Sequence, residues 1–237
     1  MEKLWFVRGG QLDYSFAHTL QLNLREKVER ENIPGFFLLM EHPPVFTLGR
    51  GASRSHLLVD ESVLGKEGIK VYEIERGGDI TYHGPGQIVG YPIINLNFWK
   101  RDVHLFLHAL EEVLIHFLKR FEVEGFRLPP YTGVWVNKEI LQKIAAIGVA
   151  VKKWITYHGF ALNISTFLPH FNYIIPCGIS DKGVTSLERI TGNSYSLEER
   201  GEMEELLAQD LGEVFGFKME EMSRDDFFLG RERRLEI

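Results

Sequence analysis

The spacing of apolar residues divides the chain into long helical segments and shorter extended ones. Tyr14 to about Glu31 predicts a helix that Asp13 can cap, with Phe16 and every fourth residue after it on an apolar face. Val103 to Phe121 carries the broadest apolar stripe. Ser196, followed by an acidic first turn, predicts a helix from Leu197 to Phe215. Three amphipathic helices of this length need a shared apolar surface to cover.

That surface is predicted to be a sheet, because runs rich in β-branched and aromatic residues lie between the helices. The predicted strands are residues 4–7, 36–40, 45–48, 71–74, 88–94, 133–136, 155–163 and 171–179. Pro43 and Pro44 enforce a turn between the second and third of these strands. Apolar residues at helical spacing in 139–147 predict a short helix that continues into an extended segment, 147–151. Thr185 and Ser186 can cap a further helix.

The overall composition is that of an ordinary globular protein. The 237 residues show no composition break, so we expect one domain over residues 1–223, followed by a charged, exposed tail over 224–237. No segment has the roughly 20 apolar residues that span a bilayer, and residues 1–5 lack a secretion signal, so a cytoplasmic location is expected. The net charge of -6 argues against general nucleic-acid binding.

A glycine-rich stretch, residues 76–87, separates two predicted strands. Four glycines and a proline surround Thr81 and His83, with a short extended piece between them. Glycines let backbone approach a ligand closely, although a long structural hairpin loop would have the same composition. No Gly-Lys-Ser/Thr follows and no helix opens directly after Gln87, so the stretch is neither a dinucleotide fingerprint nor a Walker loop.

Cys177 is the only cysteine, which excludes an intramolecular disulfide and a multi-cysteine metal site. A lone cysteine is usually a small buried apolar residue. Here Pro176 and Gly178 predict a turn shortly before a helix, where backbone N–H groups favour the thiolate. A thiolate can attack thioesters and form an acyl-enzyme. The candidate bases or cations beside it are His83, His158, Lys143 and Lys152.

Other basic groups have weaker patterns. His104 and His108 share a helix face and could bind a metal, but no carboxylate-histidine signature completes a site, and structural or surface roles are favoured. An anionic partner could be contacted by Arg50, Arg54 and His56, although three basic groups in a loop are more often solvated surface.

Several blocks together carry a more specific signal. Residues 76–91 have the pattern Arg-Gly-Gly, two residues, Thr, aromatic, His, two residues, Gly-Gln and a later Tyr. The further blocks are residues 41–50, 143–148, 156–163 and 176–187. With these blocks the chain resembles the lipoyl(octanoyl) transferases, also called octanoyl-acyl-carrier-protein:protein N-octanoyltransferases. The resemblance implies a single α+β domain like the catalytic domain of biotin-protein and lipoate-protein ligases, with a mixed, mostly antiparallel sheet and flanking helices.

The resemblance also implies roles for individual residues. Cys177 matches the acyl-thioester nucleophile, and Lys143 matches the lysine that assists it as a base or as a thiolate-stabilising cation. No metal and no cofactor are implied. The segments matching those that line the acyl substrate are Arg76, Gly77, Gly78, Asp79, Ile80, Thr81, Tyr82 and His83; Ala146, Ile147 and Gly148; and His158, Gly159 and Phe160.

The activity implied is transfer of an octanoyl or lipoyl group from acyl carrier protein to a lysine of lipoyl domains, through a thioester on the cysteine. The acceptors would be the lipoyl domains of 2-oxoacid dehydrogenases and the glycine cleavage H protein. Three alternatives stay open: an ATP-dependent lipoate-protein ligase on the same fold, a non-catalytic acyl-binding module and a cysteine-dependent thioesterase. Acyl carrier proteins are generally acidic, so a local basic patch is expected, with Arg50, Arg54, Lys152 and Lys153 as candidates.

Overall fold

The apolar helix stripes pack against both faces of one large sheet. The computed structural model describes residues 1–137, 140–176 and 182–232. The strands are β1 (Lys3–Gln11), β2 (Gly35–Glu41), β3 (Val45–Leu48), β4 (Lys70–Glu73), β5 (Ile80–His83), β6 (Gln87–Ile94), β7 (Phe126–Leu128), β8 (Tyr131–Asn137), β9 (Leu141–Lys152), β10 (Ile155–Asn163), β11 (Gly183–Val184) and β12 (Lys218–Glu221). The helices are α1 (Tyr14–Glu31), α2 (Glu61–Glu67), α3 (Val103–Lys119), α4 (Leu187–Thr191), α5 (Leu197–Phe215) and α6 (Arg224–Glu232). Short 3-10 turns occupy Arg54–His56, Leu96–Phe98 and Leu168–Tyr173.

The large sheet is mixed and mostly antiparallel. Its order within the described residues is β12-β1-β2-β6-β10-β9-β8-β7, with β11 beside β9. The pairs of β1 with β2 and β12, and of β9 with β11, are parallel, and the others are antiparallel. A smaller sheet has the order β4-β3-β5. Pro43 and Pro44 therefore lie where the chain passes from the large sheet to the small one.

Helices cover each face of the large sheet. On one face α3 and α5 bury Phe106, Phe117 and Leu207 against the central strands. On the other face α1 buries Leu20 and Leu24 against β2, β6 and β10. A third, smaller core lies between the small sheet and the 3-10 turn at Leu168–Tyr173. The α+β architecture and the mixed sheet implied by the resemblance are confirmed.

The predicted caps are found at the helix ends. The Asp13 carboxylate accepts a hydrogen bond from the Ser15 N–H at 2.9 Å, and Ser186 caps α4. Ser196 forms a complete capping box with Glu199 at the start of α5. Each side chain satisfies a backbone donor that has no partner inside the helix. Phe16, predicted on the apolar face of α1, is instead 48% exposed.

The predicted helix over 139–147 is wrong for the residues from Leu141 onward, which form β9. Ile144 is buried, as helical spacing required, but the next residue, Ala145, pairs with β8 on one side and β10 on the other. Short apolar runs do not distinguish the two periods, and pairing with two neighbouring strands decides this one. Lys143 therefore lies on a strand.

The predicted strand over 171–179 is also wrong where the structure describes it. Residues up to Tyr173 belong to a 3-10 turn that begins beside Pro169, and only Ile174 pairs as an extended residue, with Leu57. Proline near the start of the turn fixes the backbone there and removes a donor from any ladder. Residues 177–181, including Cys177, lie outside the described residues.

The segment predicted as an exposed tail begins with α6. Phe227 of this helix is 6% exposed and contributes to the core beneath α1, with its ring 6.2 Å from that of Phe36. The start of the segment is therefore packed rather than exposed, while the division of the chain at residue 224 stays a prediction. No helix within the described ranges is both long and apolar enough to cross a membrane.

Candidate functional site

A cavity opens between the large sheet, the small sheet and the start of α1. The space between its walls is about 470 Å³, including open space at its mouth. Most of the predicted acyl-binding residues border it. Its lining consists of Tyr14, Arg76, Gly78, Asp79, Thr81, His83, Val89, Tyr91, Ala146, Ile147, Gly148, His158, Gly159, Phe160 and Ala161.

Alternation along β5 decides which of its residues reach the cavity. Thr81 and His83 line it, while Ile80 and Tyr82 lie in the small core on the other side of the strand. Successive side chains of a strand point to opposite faces, so one strand serves both purposes. Ile80 and Tyr82, predicted as substrate-binding, support the wall without lining it. Gly77 also stays outside the lining and donates its N–H to the Val149 carbonyl at 2.9 Å.

Glycines on β9 and β10 bring backbone to the cavity wall. A Cβ on Gly148 would lie 2.9 Å from the Gly77 carbonyl oxygen, and one on Gly159 would lie 2.0 Å from the Gly90 carbonyl oxygen. Gly148 and Gly159 pair across the two strands. Because neither position has room for a side chain, the neighbouring backbone packs directly against these two strands. This part of the wall therefore leaves space for a ligand.

Arg76 is buried and bonded to the small sheet. Its guanidinium donates to the Thr47 carbonyl at 2.7 Å and to the Thr47 hydroxyl at 3.0 Å. The same hydroxyl lies 3.3 Å from Nε2 of His83. The cation is therefore held against β3, where it fixes the wall of the cavity and supplies positive potential beside it.

A hydrogen-bond chain runs from His83 toward Lys143. His83 Nδ1 donates to Oε1 of Gln87 at 2.8 Å, and the Gln87 amide donates to Asn163 at 2.9 Å. Asn163 in turn donates to the Thr185 carbonyl, while the Thr185 N–H donates to the Lys143 carbonyl. Burial, above all other causes, lowers the pKa of His83 to about 3. His83 is thus a neutral, fully engaged imidazole at neutral pH, which disfavours it as a general base.

Lys143 is 7% exposed, on β9. Its ammonium donates to the Thr132 carbonyl at 3.1 Å and lies 4.8 Å from the centroid of the Trp135 ring. Both contacts favour a cation, since a carbonyl oxygen and an aromatic face each present negative charge. The other predicted lysine, Lys152, is exposed at the far end of the same strand and does not line the cavity.

Lys143 borders a second, smaller cavity that adjoins the first. Thr81, Ala146 and Ala161 line both spaces. Pro176, the residue directly before Cys177, lines the second cavity together with Lys143. The predicted acyl-binding segments and the predicted lysine therefore surround one continuous region of the fold.

Four residues that line the main cavity were not predicted from the sequence: Tyr14, Val89, Tyr91 and Ala161. Val89 and Tyr91 alternate on β6, so strand periodicity next to the glycine-rich stretch could have placed them on one face. Tyr14 gave no comparable signal, because only the tertiary fold brings the start of α1 against His83, with ring centroids 5.9 Å apart.

Two of the four residues of the candidate basic patch form ion pairs with carboxylates of this chain. Arg54 is bonded to Glu73, and Lys153 is bonded to Glu29. Of the two helix histidines, His108 pairs with Glu111 on its own helix rather than with His104. His158, a further candidate base, is 2% exposed, and burial lowers its pKa.

Comparisons with known proteins match most of the chain. The family model described as the lipoyl protein ligase A/B catalytic domain matches residues 13–207. A protein of Caldicellulosiruptor bescii named octanoyltransferase is 44% identical over 221 residues, covering 92% of this chain and 94% of that protein. An octanoyltransferase of Thermoanaerobacter sp. is 42% identical over 226 residues, covering 95% of this chain and 96% of the relative.

Solved structures show the same fold at low sequence identity. A bipartite lipoate protein ligase of Thermoplasma acidophilum, studied with its E2 lipoyl domain, has a TM-score of 0.67 at 16% identity, covering 98% of this chain and 91% of that one. A lipoate-protein ligase A bound with ATP has a TM-score of 0.65 at 17% identity, and the match covers 98% of this chain and 94% of that one.

Proposed function

The chain belongs to the lipoyl protein ligase A/B catalytic-domain family, and from this premise we propose that it is an octanoyltransferase of protein lipoylation. The two octanoyltransferases described above match more than nine-tenths of both chains, so the likeness extends to the whole domain. The donor in this proposal is octanoyl-acyl carrier protein. The acceptors are lysines of lipoyl domains, including those of 2-oxoacid dehydrogenases and the glycine cleavage H protein.

The observation that carries the proposal is the position of Lys143 beside the smaller cavity that adjoins the main one. Backbone and apolar side chains of β6, β9 and β10 supply a wall for an acyl chain, and Lys143 and Pro176 border the adjoining space. An acyl chain in the main cavity would direct its carbonyl toward this cation. Apolar walls with a few convergent polar groups are the usual form of a small-molecule site.

In the proposed first half-reaction the Cys177 thiolate attacks the carbonyl carbon of the octanoyl thioester. Backbone N–H groups of the glycine-bearing loops stabilise the oxyanion that forms. Collapse breaks the bond to the carrier sulfur, and the pantetheine thiolate leaves and takes up a proton. The product is an octanoyl thioester on Cys177.

The second half-reaction transfers the acyl group to nitrogen. The neutral amine of an acceptor lysine attacks the thioester carbonyl, the Cys177 thiolate leaves, and the amide nitrogen loses a proton. The thioester bond supplies the activation, so the step needs no ATP. The contacts of Lys143 with Thr132 and Trp135 support its ammonium form, so we assign it to stabilising the Cys177 thiolate in both half-reactions.

Intact-mass spectrometry tests the acyl-enzyme directly. The protein and its Cys177→Ser variant are incubated with octanoyl-acyl carrier protein without ATP, and a lipoyl domain is then added. We expect an octanoyl increment on the wild type alone, which the lipoyl domain then removes and acquires. Modification that requires ATP would favour a ligase, release of free octanoate a thioesterase, and binding without any increment an acyl-binding module.

Lys143→Met tests the proposed cation, with Lys152→Met as the matched control on the same strand. At saturating donor we expect Lys143→Met to slow acylation of Cys177 by about 10²- to 10⁴-fold, the usual effect of removing a group that assists proton or charge transfer. Lys152 is exposed and should leave the rate unchanged. Equal rates for the two variants in single-turnover experiments would remove Lys143 from the mechanism.

A further inference from the structure

Two imidazoles and a carboxylate converge at the edge of the main cavity. They belong to His18 of α1, Glu75 beside the glycine-rich stretch, and His158 of β10. His18 Nε2 lies 3.2 Å from the Glu75 carboxylate, and His158 Nε2 lies 3.9 Å from it. One candidate ligand atom from each residue lies within 4.8 Å of the other two. We propose that this cluster binds a divalent transition-metal ion, with Zn²⁺ as the best match.

His158 provides an independent sign that the cluster accommodates a ligand. Its side chain is 2% exposed, and its Nε2 has no hydrogen-bond partner among the residues that the structure describes. A buried polar atom without a partner costs about 1–3 kcal/mol. The nitrogen is aimed at the carboxylate of Glu75 from beyond hydrogen-bond distance. A metal ion between them would satisfy it.

The backbone of His158 is strained in the same place. Its φ of 57° lies in the left-handed region, which non-glycine residues seldom adopt. The Gln21 side chain accepts the His158 N–H at 2.8 Å and holds this conformation. Residues in such conformations concentrate at ligand-binding sites, where the surrounding structure offsets the strain. A strained backbone and a side-chain nitrogen without a hydrogen-bond partner thus coincide in one residue.

The donor set and its spacing suit zinc. Two imidazole nitrogens and a carboxylate oxygen, with a fourth position left to solvent or ligand, form a common zinc site. Bonds of about 2.0–2.1 Å in tetrahedral geometry place ligand atoms about 3.3 Å apart. The His18 to Glu75 distance already meets this spacing, and the His158 to Glu75 distance would close by about 0.6 Å. The rings of His18 and His158 stack with centroids 5.4 Å apart, so binding also requires a rotation of His18.

This site is separate from the proposed acyl-transfer chemistry. His158 lines the main cavity but not the smaller one that Lys143 and Pro176 border. A bound ion would lie at the wall of the main cavity, and the inference holds whether or not the transfer reaction does.

Cobalt substitution tests the site by spectroscopy. The full chain, freed of metal with a chelator, is titrated with Co²⁺ and followed by its visible d–d bands, after which Zn²⁺ is added. We expect one Co²⁺ per chain, with bands that Zn²⁺ abolishes. His18→Ala and Glu75→Gln should each weaken binding by at least about tenfold, the lower end of what losing even an outer partner of a ligand produces. Circular dichroism verifies that both variants are folded.

His116→Ala is the matched control. His116 also pairs with a glutamate, Glu112, at 3.0 Å on the exposed side of α3, but no third ligand adjoins it among the described residues. It should bind Co²⁺ like the wild type. The proposal is overturned if the wild type shows no d–d bands, or if binding survives His18→Ala and is lost in Cys177→Ser, which would assign the ion to the thiolate.

Discussion

At the residue scale, individual atoms set the shape of the cavity wall. Gly148 has no space for a methyl group because the Gly77 carbonyl oxygen and the Arg76 side chain lie beside it. The adjoining Gly77 has more space, since a Cβ there would meet nothing closer than the Val149 oxygen at 3.5 Å. Steric contact with neighbouring atoms therefore excludes a side chain at Gly148 but not at Gly77.

Gly148→Ala should accordingly destabilise the protein, and Gly77→Ala should not. Overpacking of a tight contact costs about 1–3 kcal/mol, while a tolerated change to alanine stays within about 0.5 kcal/mol. Urea unfolding of both variants measures the difference in the free energy of unfolding. Equal stability of the two variants would mean that the Arg76–Gly78 backbone moves away from β9 without cost.

A second residue-scale effect concerns His42, which is fully buried. Its Nδ1 donates to the Leu12 carbonyl at 2.7 Å and its Nε2 accepts from the Tyr91 hydroxyl at 2.7 Å. Burial lowers its pKa from 6.5 to about 4. Between these values the unfolded chain binds a proton that the folded protein does not, so stability falls as the pH falls through this window.

His42→Gln should remove that contribution to the pH dependence. For a group shifted from 6.5 to about 4, the free energy of unfolding drops by about 2 kcal/mol between pH 7 and pH 5. We expect the wild type to lose about that much more than the variant over this range, whatever the variant's absolute stability. Urea titrations at both pH values measure it, and parallel losses would show that folding does not shift the pKa of His42.

At the element scale, the start of α5 shows how a local signal determines a boundary. The capping box of Ser196 and Glu199 satisfies donors at both positions, and the helix then buries Met203, Leu207 and Leu211 against α3 and the sheet. The box fixes where the helix begins, and the apolar stripe fixes which face it buries.

Ser196→Ala should lower the free energy of unfolding by about 1 kcal/mol, because the Glu199 N–H loses its hydrogen bond to the Ser196 hydroxyl. Glu202→Ala, at an exposed position of the same helix, is the control and should change stability by less than about 0.5 kcal/mol. Thermal unfolding compares the two variants. An unchanged midpoint for Ser196→Ala would indicate that packing of the apolar face alone sets the beginning of α5.

At the scale of the whole molecule, charged groups connect elements that are distant in sequence. Arg200 of α5 donates to Glu41 of β2 at 2.9 Å, and the same carboxylate accepts the Gly86 N–H at 3.2 Å. Glu204, one turn along α5, lies near this cluster. Burial, more than its charged neighbours, raises the pKa of Glu204 from 4.5 to about 7.

Glu204→Gln should therefore flatten the stability profile on the alkaline side. Between pH 4.5 and about 7 the folded protein keeps a proton that the unfolded chain releases, so stability falls as the pH rises through this window. The variant should be more stable than the wild type at pH 8, by on the order of 1 kcal/mol after allowance for partial exposure, and similar at pH 5. Thermal unfolding at both pH values measures this, and a variant less stable at pH 8 would show that the carboxylate is charged and usefully paired.

The sequence by itself determined the three long helices, their caps and most strands, because these depend on periodicity and on side chains within a few residues of one another. It did not indicate α2 or α6. It also determined the family, through blocks such as residues 76–91. The cavity lining was largely predictable from the same blocks, to which Arg76, Thr81 and Gly148 belong.

Only the tertiary structure decided features that depend on partners far along the chain. β9 is a strand because β8 and β10 pair with it, and Tyr14 joins the cavity because α1 packs across the sheet. His18, Glu75 and His158 share no local pattern, yet three separate elements bring them together. Pairing and packing energies outweigh local preference wherever two distant segments bury surface against each other, and no local window of sequence contains that information.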